Sequence, residues 1–201
     1  VCFAISMQYY FGKKQAQAHV LSKLAMASSD VSEYLQQAEY NATGGVQILR
    51  GVSMYTQDQF TETETQNIFA QILKDNPLFY SLYFGRKDED FFQIINLESS
   101  PIVRQKINAE DGDRWVVIKI SGEGKDRVRI TRYLDDDFRL TKSIIELSDY
   151  FPTQRPWFIG AKHNKVFKTD PYLFQHLKII GQTYSIRSQK GAIGIDIVLS
   201  S

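Results

Sequence analysis

What most constrains this chain is the order of its periodicities: helical spacing first, strand-like alternation afterwards, with Asn76-Pro77 between them. From about Gln15 to Ala38, the apolar residues Val20, Leu21, Leu24, Val31 and Leu35 recur at threes, fours and sevens, while Lys23, Asp30, Glu33 and Gln37 take other faces. The spacing predicts a long amphipathic helix whose narrow stripe suits packing along a domain or against its own copy. Gly44 and Gly45 in "NATGG" predict its end, and "VQILRGVSMY" a second, short helix. A third helix has an entry signal, the T-x-x-E box of Thr61 and Glu64, followed by Ile68, Phe69, Ile72 and Leu73 on one face.

After the proline the pattern changes. "LFYSLYFG" and "DFFQIINL" read as strands around the polar turn "RKDE", and "RWVVIKIS" and "RVRITRYL" repeat the arrangement around "GEGKD". In the latter pair, Val128 and Ile130 against Arg127 and Arg129 predict one wet face. "GQTYSIRS" and "GAIGIDIVLS" form a last hairpin around "QKG", reached through the short helix and turn of "FIGAKHNKVFKTDPY". Helices followed by hairpin-linked strands argue for an α+β fold with an antiparallel sheet, and against a doubly wound parallel one.

Bulk properties narrow the function. Lys+Arg 24 against Asp+Glu 23 gives no global field for nucleic acid. The single cysteine, Cys2, excludes an internal disulfide and a thiolate cluster, and no run of about eighteen apolar residues spans a bilayer. The opening "VCFAISMQYYF" reads as an ordinary helix start, the alternative being the outer end of a membrane helix. Hydrolase, zinc and P-loop motifs are absent, and His19, His163 and His176 are scattered. The acidic turn Asp135 to Asp137 lacks the spacing of a calcium loop. No catalytic residue, metal or cofactor is assigned.

One segment asks for a partner. In "YFPTQRPWFIGA", Pro152 and Pro156 restrict the backbone around Arg155 and Trp157, so a guanidinium and an indole N–H are held in fixed directions beside Tyr150. Such a pair receives a carboxylate well, each charge-assisted bond being worth roughly 1.5–3 kcal/mol. Asp170 and Tyr172 follow in "KTDPY", and Asp196 stands in the otherwise apolar strand "GIDI". A lone buried carboxylate is costly, so Asp196 needs either a protein cation or the ammonium of a ligand. Composition and spacing alone favour the plain account, in which Arg155 and Asp196 pair with each other or with backbone as structural residues of a tight corner.

These residues, in this order, carry a resemblance. "YFPTQRPWFIGA", "VFKTDPY", "GQTYSIRS" and "GAIGIDIVLS", together with the long first helix and "DNPLFYSLYFG", resemble the membrane-distal lobe of double Cache domains, the extracytoplasmic sensor modules of bacterial chemoreceptors, histidine kinases and cyclic-dinucleotide enzymes. The resemblance implies a helical segment over 1–55 and a PAS-like lobe over 56–201, an antiparallel sheet flanked by helices that holds a small ligand. It also implies a periplasmic or extracellular location in a membrane-anchored parent; the family's double form continues into a membrane-proximal lobe, so the chain is expected to be either the distal lobe of such a domain or a shorter variant. Amino-acid-binding members carry Y-x-x-x-x-R-x-W-Y and a later Asp; Tyr150, Arg155, Trp157 and Asp196 match. The resemblance gives Arg155 and Trp157 to the ligand carboxylate, and Tyr150 and Asp196 to its amine. Phe158 departs from the pattern, and the missing hydroxyl removes a bond worth about 0.5–1.5 kcal/mol. The expected partner is thus an amino acid or another small carboxylate or amine, with Tyr172 and Asp170 beside the site and no nucleic acid. The alternative is an interaction module that dimerises through Leu24, Val31 and Leu35 and binds no small molecule.

Overall fold

The structure, a computed structural model, describes residues 2–56, 61–174 and 177–199. The side chains of Cys2, His19, Val20, Leu21 and Leu24, and the whole of His176, lie outside the described part. Contacts divide the chain into two compact units, Val1–Tyr40 and Asn41–Ser201.

Helix α1 (Cys2–Thr56) passes straight through the two glycines expected to end it, and "VQILRGVSMY" forms its last turns. Packing explains the correction. In the second unit Ala42, Val46, Leu49 and Ser53 are buried at spacings of four, three and four, the stripe of a helix lying on a sheet. A Cβ on Gly45 would stand 3.0 Å from Ile195 Cδ1 and 3.8 Å from the Phe79 ring. Gly45 is there because the helix approaches the sheet closely, and that gain overrides its terminating tendency.

Helix α2 (Glu62–Asp75) opens on the expected capping box, with Glu64 N–H donating to Thr61 Oγ1 and Thr61 N–H to Glu64 Oε2. It buries Phe69, Ala70 and Leu73, and Glu62 clamps its first turn to the sheet by accepting from Lys119 at 2.8 Å and Arg132 at 2.7 Å. The sheet contains β1 (Phe79–Arg86), β2 (Phe91–Asn96), β3 (Trp115–Ser121), β4 (Val128–Leu134), β5 (Leu140–Leu147), β6 (Phe167–Lys168), β7 (Tyr172–Phe174), β8 (Ile179–Arg187) and β9 (Gly191–Val198). Its order is β5-β4-β3-β2-β1-β9-β8-β6, with β7 also on the outer edge of β8, and every pairing is antiparallel. The α+β architecture expected from the periodicities is the one observed. Short helices α3 (Pro101–Ile107) and α4 (Pro156–Gly160) complete it.

Register divides the sheet into two faces. Leu82, Phe84, Ile193 and Ile195 fall on one, with Phe92, Lys119 and Arg132, and this face meets α2 and the end of α1. Ser81, Tyr83, Phe91, Gln93, Ile118, Thr183 and Asp196 fall on the other. There Trp157, Phe158, Ala161, Phe174 and Leu177 close a second core over Tyr80, Tyr83 and Phe91.

Arg127 and Arg129 do not make the wet face that the alternation suggests. Arg127 is 1% exposed, its guanidinium taken up by main-chain carbonyls, and Arg129 turns onto the Asp196 face. A buried cation satisfied by carbonyls reads, in sequence, like an exposed one.

The two glycines give the first prediction. Gly45→Leu should lower stability by about 1–3 kcal/mol through overpacking. Gly44→Ala, whose new Cβ would meet nothing within 4 Å, should raise it by about 0.5–1 kcal/mol. Thermal melts resolve this at roughly 2–4 °C per kcal/mol for a chain of this size; effects of the same sign would contradict the helix packing.

Candidate functional site

Asp196 is 6% exposed on β9, and the hairpin registers decide its surroundings. Ser81 stands opposite it on β1 and Thr183 opposite it on β8. Ser81 Oγ donates to Asp196 Oδ2 at 3.1 Å, Thr183 Oγ1 to Oδ1 at 2.5 Å, and Tyr83 OH to Oδ1 at 2.8 Å. Tyr83 lies flat only because its neighbour on β9 is Gly194, where a Cβ would come within 2.3 Å of the ring. Gln93 extends the network to β2 by donating to Ser81 Oγ at 2.9 Å. Tyr172 extends it to β7, its hydroxyl 2.9 Å from Thr183 Oγ1. All three first partners of the carboxylate are neutral hydroxyls.

The segment Tyr150 to Gly160 covers this face. Arg127 fixes its start, donating through Nε and one NH2 to the Tyr150 carbonyl at 3.0 and 2.9 Å. The chain then makes a 3-10 turn, Pro152–Gln154, and α4 begins at Pro156. Trp157 drops onto the sheet where Gly85 leaves room, and packs edge-on to Tyr83 with ring centroids 4.8 Å apart. Its indole N–H donates to Tyr150 OH at 3.3 Å. The Arg155 guanidinium lies 4.5 Å over the Tyr150 ring, and its Nε is buried with no hydrogen-bond partner. Burial raises the Tyr150 phenol to about 12, opposed by the Trp157 hydrogen bond and the Arg155 charge.

The candidate residues therefore fall into two linked groups. Tyr150, Arg155 and Trp157 form one stack; Asp196 and Tyr172 share Thr183; Tyr83 joins the groups by touching Trp157 and bonding Asp196. Burial also raises the Tyr172 phenol, with the Asp196 charge acting in the same direction and Arg155 against it. Phe158 packs in the same core, its ring centroid 5.5 Å from that of Trp157, while the Arg187 guanidinium lies 4.4 Å from its ring and donates to its carbonyl. Asp170 is exposed and makes no hydrogen bond or ion pair among the described residues.

Sequence reasoning missed Ser81, Tyr83 and Thr183. Counting outward from the "QKG" turn, Arg187 pairs with Ala192 and Thr183 with Asp196, so one of them was within reach of a register argument.

Cavities lie on both faces. One of about 180 Å³ opens on the Asp196 face between Ile95, Val116, Ile118, Thr131 and Arg129. The other, of about 200 Å³, lies under α2 on the opposite face and is lined by none of the candidate residues; its Glu62 and Lys119 are already paired.

No family model and no curated protein matches the chain. Among solved structures it is similar to the extracellular domain assigned to a histidine kinase, soHK1S-Z6, at TM-score 0.48 and 15% identity over 84% of this chain and 56% of that one. It is similar also to the ligand-binding domain of the Campylobacter jejuni chemoreceptor Tlp3 in complex with 4-methylisoleucine, at TM-score 0.45 and 16% identity over 84% and 53%. A further structure, the sensory domain of the same chemoreceptor, aligns at TM-score 0.40 and 16% identity over 88% and 63%. The chain spans less than two thirds of the length of each.

Burial pushes the Asp196 carboxyl up to about 6, against the pull of the Thr183, Tyr83 and Ser81 hydroxyls. An ordinary aspartate titrates near 3.9, so between there and about 6 the folded chain holds a proton that the unfolded chain has released. Stability therefore falls as pH rises through that window and is level above it, by about 2–3 kcal/mol in all. Melting of the wild type should drop between pH 4 and 7 relative to Asp196→Asn; a constant difference between the two across that range would contradict a buried titrating carboxyl.

Proposed function

We propose that this chain is an extracytoplasmic sensing domain of a membrane-bound signalling receptor, and that it holds a small zwitterion, an amino acid in the simplest case, between the sheet and the segment 150–157. One observation carries the reading. Asp196 is buried among three hydroxyls with no cation, while Arg155, over Tyr150, keeps a buried Nε that no described group accepts. The plain account of the sequence has these two residues pair with each other or with backbone; they do not pair with each other, and the Arg155 Nε meets no acceptor.

A ligand ammonium beside Asp196 supplies the missing positive charge, and a ligand carboxylate supplies an acceptor for Arg155. Tyr83, Tyr150 and Trp157 stand between the two charged groups, and the Trp157 N–H holds the Tyr150 hydroxyl in place. Binding biases the receptor only through its differential affinity for two arrangements of the domain, and α1 is the element through which that bias leaves it. The reading gives the domain no catalysis of its own. No helix among the described residues is long and apolar enough to cross a membrane, so anchoring is proposed for the parent protein.

A second reading has its own observation. On α1, Val31 is 58% exposed and Leu35, one turn further on, 39%. An apolar row on an exposed helix suits pairing with a second copy, and the proposed receptor would then be a homodimer.

Two tests follow. Thermal shift of the chain against amino acids, carboxylates and amines should give stabilisation of about 2.7 kcal/mol at a hundred times the dissociation constant, lost in both Arg155→Gln and Asp196→Asn. Affinity for the zwitterion should also tighten as pH rises through about 6, where Asp196 becomes charged; binding unaffected by either variant would sink the site. For the homodimer, Val31→Glu with Leu35→Glu should convert a dimer to a monomer in analytical ultracentrifugation, and a wild type that is monomeric at high concentration would refute it.

A further inference from the structure

The face that carries Asp196 has a second charged feature that a plain zwitterion leaves unused. Register places Arg129, Thr131 and Tyr133 of β4 on this face, through Ile120, Ile118 and Val116 of β3 and Phe91, Gln93 and Ile95 of β2. The cavity of about 180 Å³ opens there, floored by Ile95, Ile118 and Thr131 with Arg129 at its side, and Lys106 and Glu146 also line it. Arg129 Nε is buried with no hydrogen-bond partner. Among the described residues its one ion pair is long, 3.8 Å from NH1 to Glu146, whose side chain is 54% exposed.

A row of packed side chains on this face leads from Asp196 toward the cavity, which Asp196 itself does not line. Asp196 leans over β1, because Ser81 and Tyr83 both donate to it; Gln93 on β2 donates to Ser81; Ile118 and Thr131 continue the Gln93 row. The charges at its two ends are both felt between them: Asp196 and Arg129 act with opposite sign on the hydroxyls of Tyr80 and Tyr150. The face thus presents one carboxylate solvated by hydroxyls and two guanidiniums, Arg155 and Arg129, each with a buried and unmatched Nε. A neutral zwitterion answers Asp196 and Arg155 and leaves Arg129 only its long pair to Glu146. Its partner Glu146 is too distant and too exposed to serve a buried donor.

We propose that the ligand of this site is an α-amino dicarboxylate, with its ammonium at Asp196, its α-carboxylate at Arg155 and its second carboxylate in the cavity at Arg129. The inference rests on the zwitterion reading and adds the chemical class of the ligand. Three strand steps of about 4.8 Å separate β1 from β4, and Arg129 lies four residues along β4 from Tyr133, the position in line with Ser81; the arginine stem covers part of that span, which favours a longer acidic side chain over a shorter one.

The test is isothermal titration of the chain at pH 7.5 with L-glutamate and L-2-aminoadipate as acidic probes and L-glutamine as the neutral isostere. The wild type should bind one of the acidic probes about tenfold or more tighter than L-glutamine, the scale of one charge-assisted contact. Arg129→Gln should bring that ratio close to one, Arg129→Lys should keep part of it, and Arg155→Gln should weaken acidic and neutral probes alike with the ratio preserved. Circular dichroism melts check that each variant is folded, and Arg129→Lys carries the test if Arg129→Gln is not. Equal affinity for L-glutamate, L-2-aminoadipate and L-glutamine in the wild type, or a ratio unchanged in Arg129→Gln, overturns the dicarboxylate. Binding of no probe at all overturns the zwitterion reading and takes this inference with it, so the two failures are distinct.

Discussion

Arg127 is buried to 1% exposure, and among the described residues its donors go to main-chain carbonyls: Tyr150 twice, Gly122 and Glu89. The face of its guanidinium lies 4.9 Å from the Phe151 ring. A buried cation is tolerated only when oriented dipoles replace its water, and here those dipoles belong to three separate turns. The β1–β2 turn, the turn before β4 and the entry to the covering segment are therefore held at one point. Thr153 adds a second tie by donating to the Glu89 carboxylate from its hydroxyl and its N–H. From Tyr150 onward the two prolines leave little freedom, so the directions of Arg155 and Trp157 follow from where Arg127 holds the chain.

The other half of the site follows from sheet register. Antiparallel pairing is a counting rule: once the tight turn at Ser188 to Gly191 is made, Thr183 has no choice but to face Asp196, and β1 then brings Ser81 and Tyr83 to it. A bulge between Phe79 and Ser81 completes the arrangement, because one extra residue lets Phe79 stay with the helix-covered face while Ser81 meets Asp196. Gly85 and Gly194 are the complementary device, each clearing the volume that an aromatic ring from another element occupies.

Local signals made much of this legible. The capping box of α2, the hairpins around "RKDE" and "QKG", and the clustering of Tyr150, Arg155 and Trp157 all lie within short windows, where sequence spacing and spatial proximity coincide. What was not legible depends on partners far along the chain. Gly44 and Gly45 look like a stop until Ile195 is known to lie against Gly45. Arg127 looks wet until the carbonyls of Gly122, Glu89 and Tyr150 are brought to it. Strand β5 gives no alternation, because Leu140, Ile145 and Leu147 are exposed at a sheet edge. The hydroxyls around Asp196 come from "LFYSLYFG" and "GQTYSIRS", where serine, threonine and tyrosine are ordinary strand residues and nothing local marks them.

The hydroxyl cage of Asp196 bears on how quickly a site of this kind can change state. A carboxylate held by lysine or arginine presents an incoming cation with a rival, and exchange must break an ion pair before it can form another. Hydroxyls offer no such rivalry: they rotate about a single bond, donate to the charged form, and can accept from the protonated one. Entry and departure of a cationic group then require no internal cation to swing away and return. On the proposed reading, exchange at Asp196 would then depend on the covering segment Tyr150 to Gly160 rather than on breaking an internal ion pair.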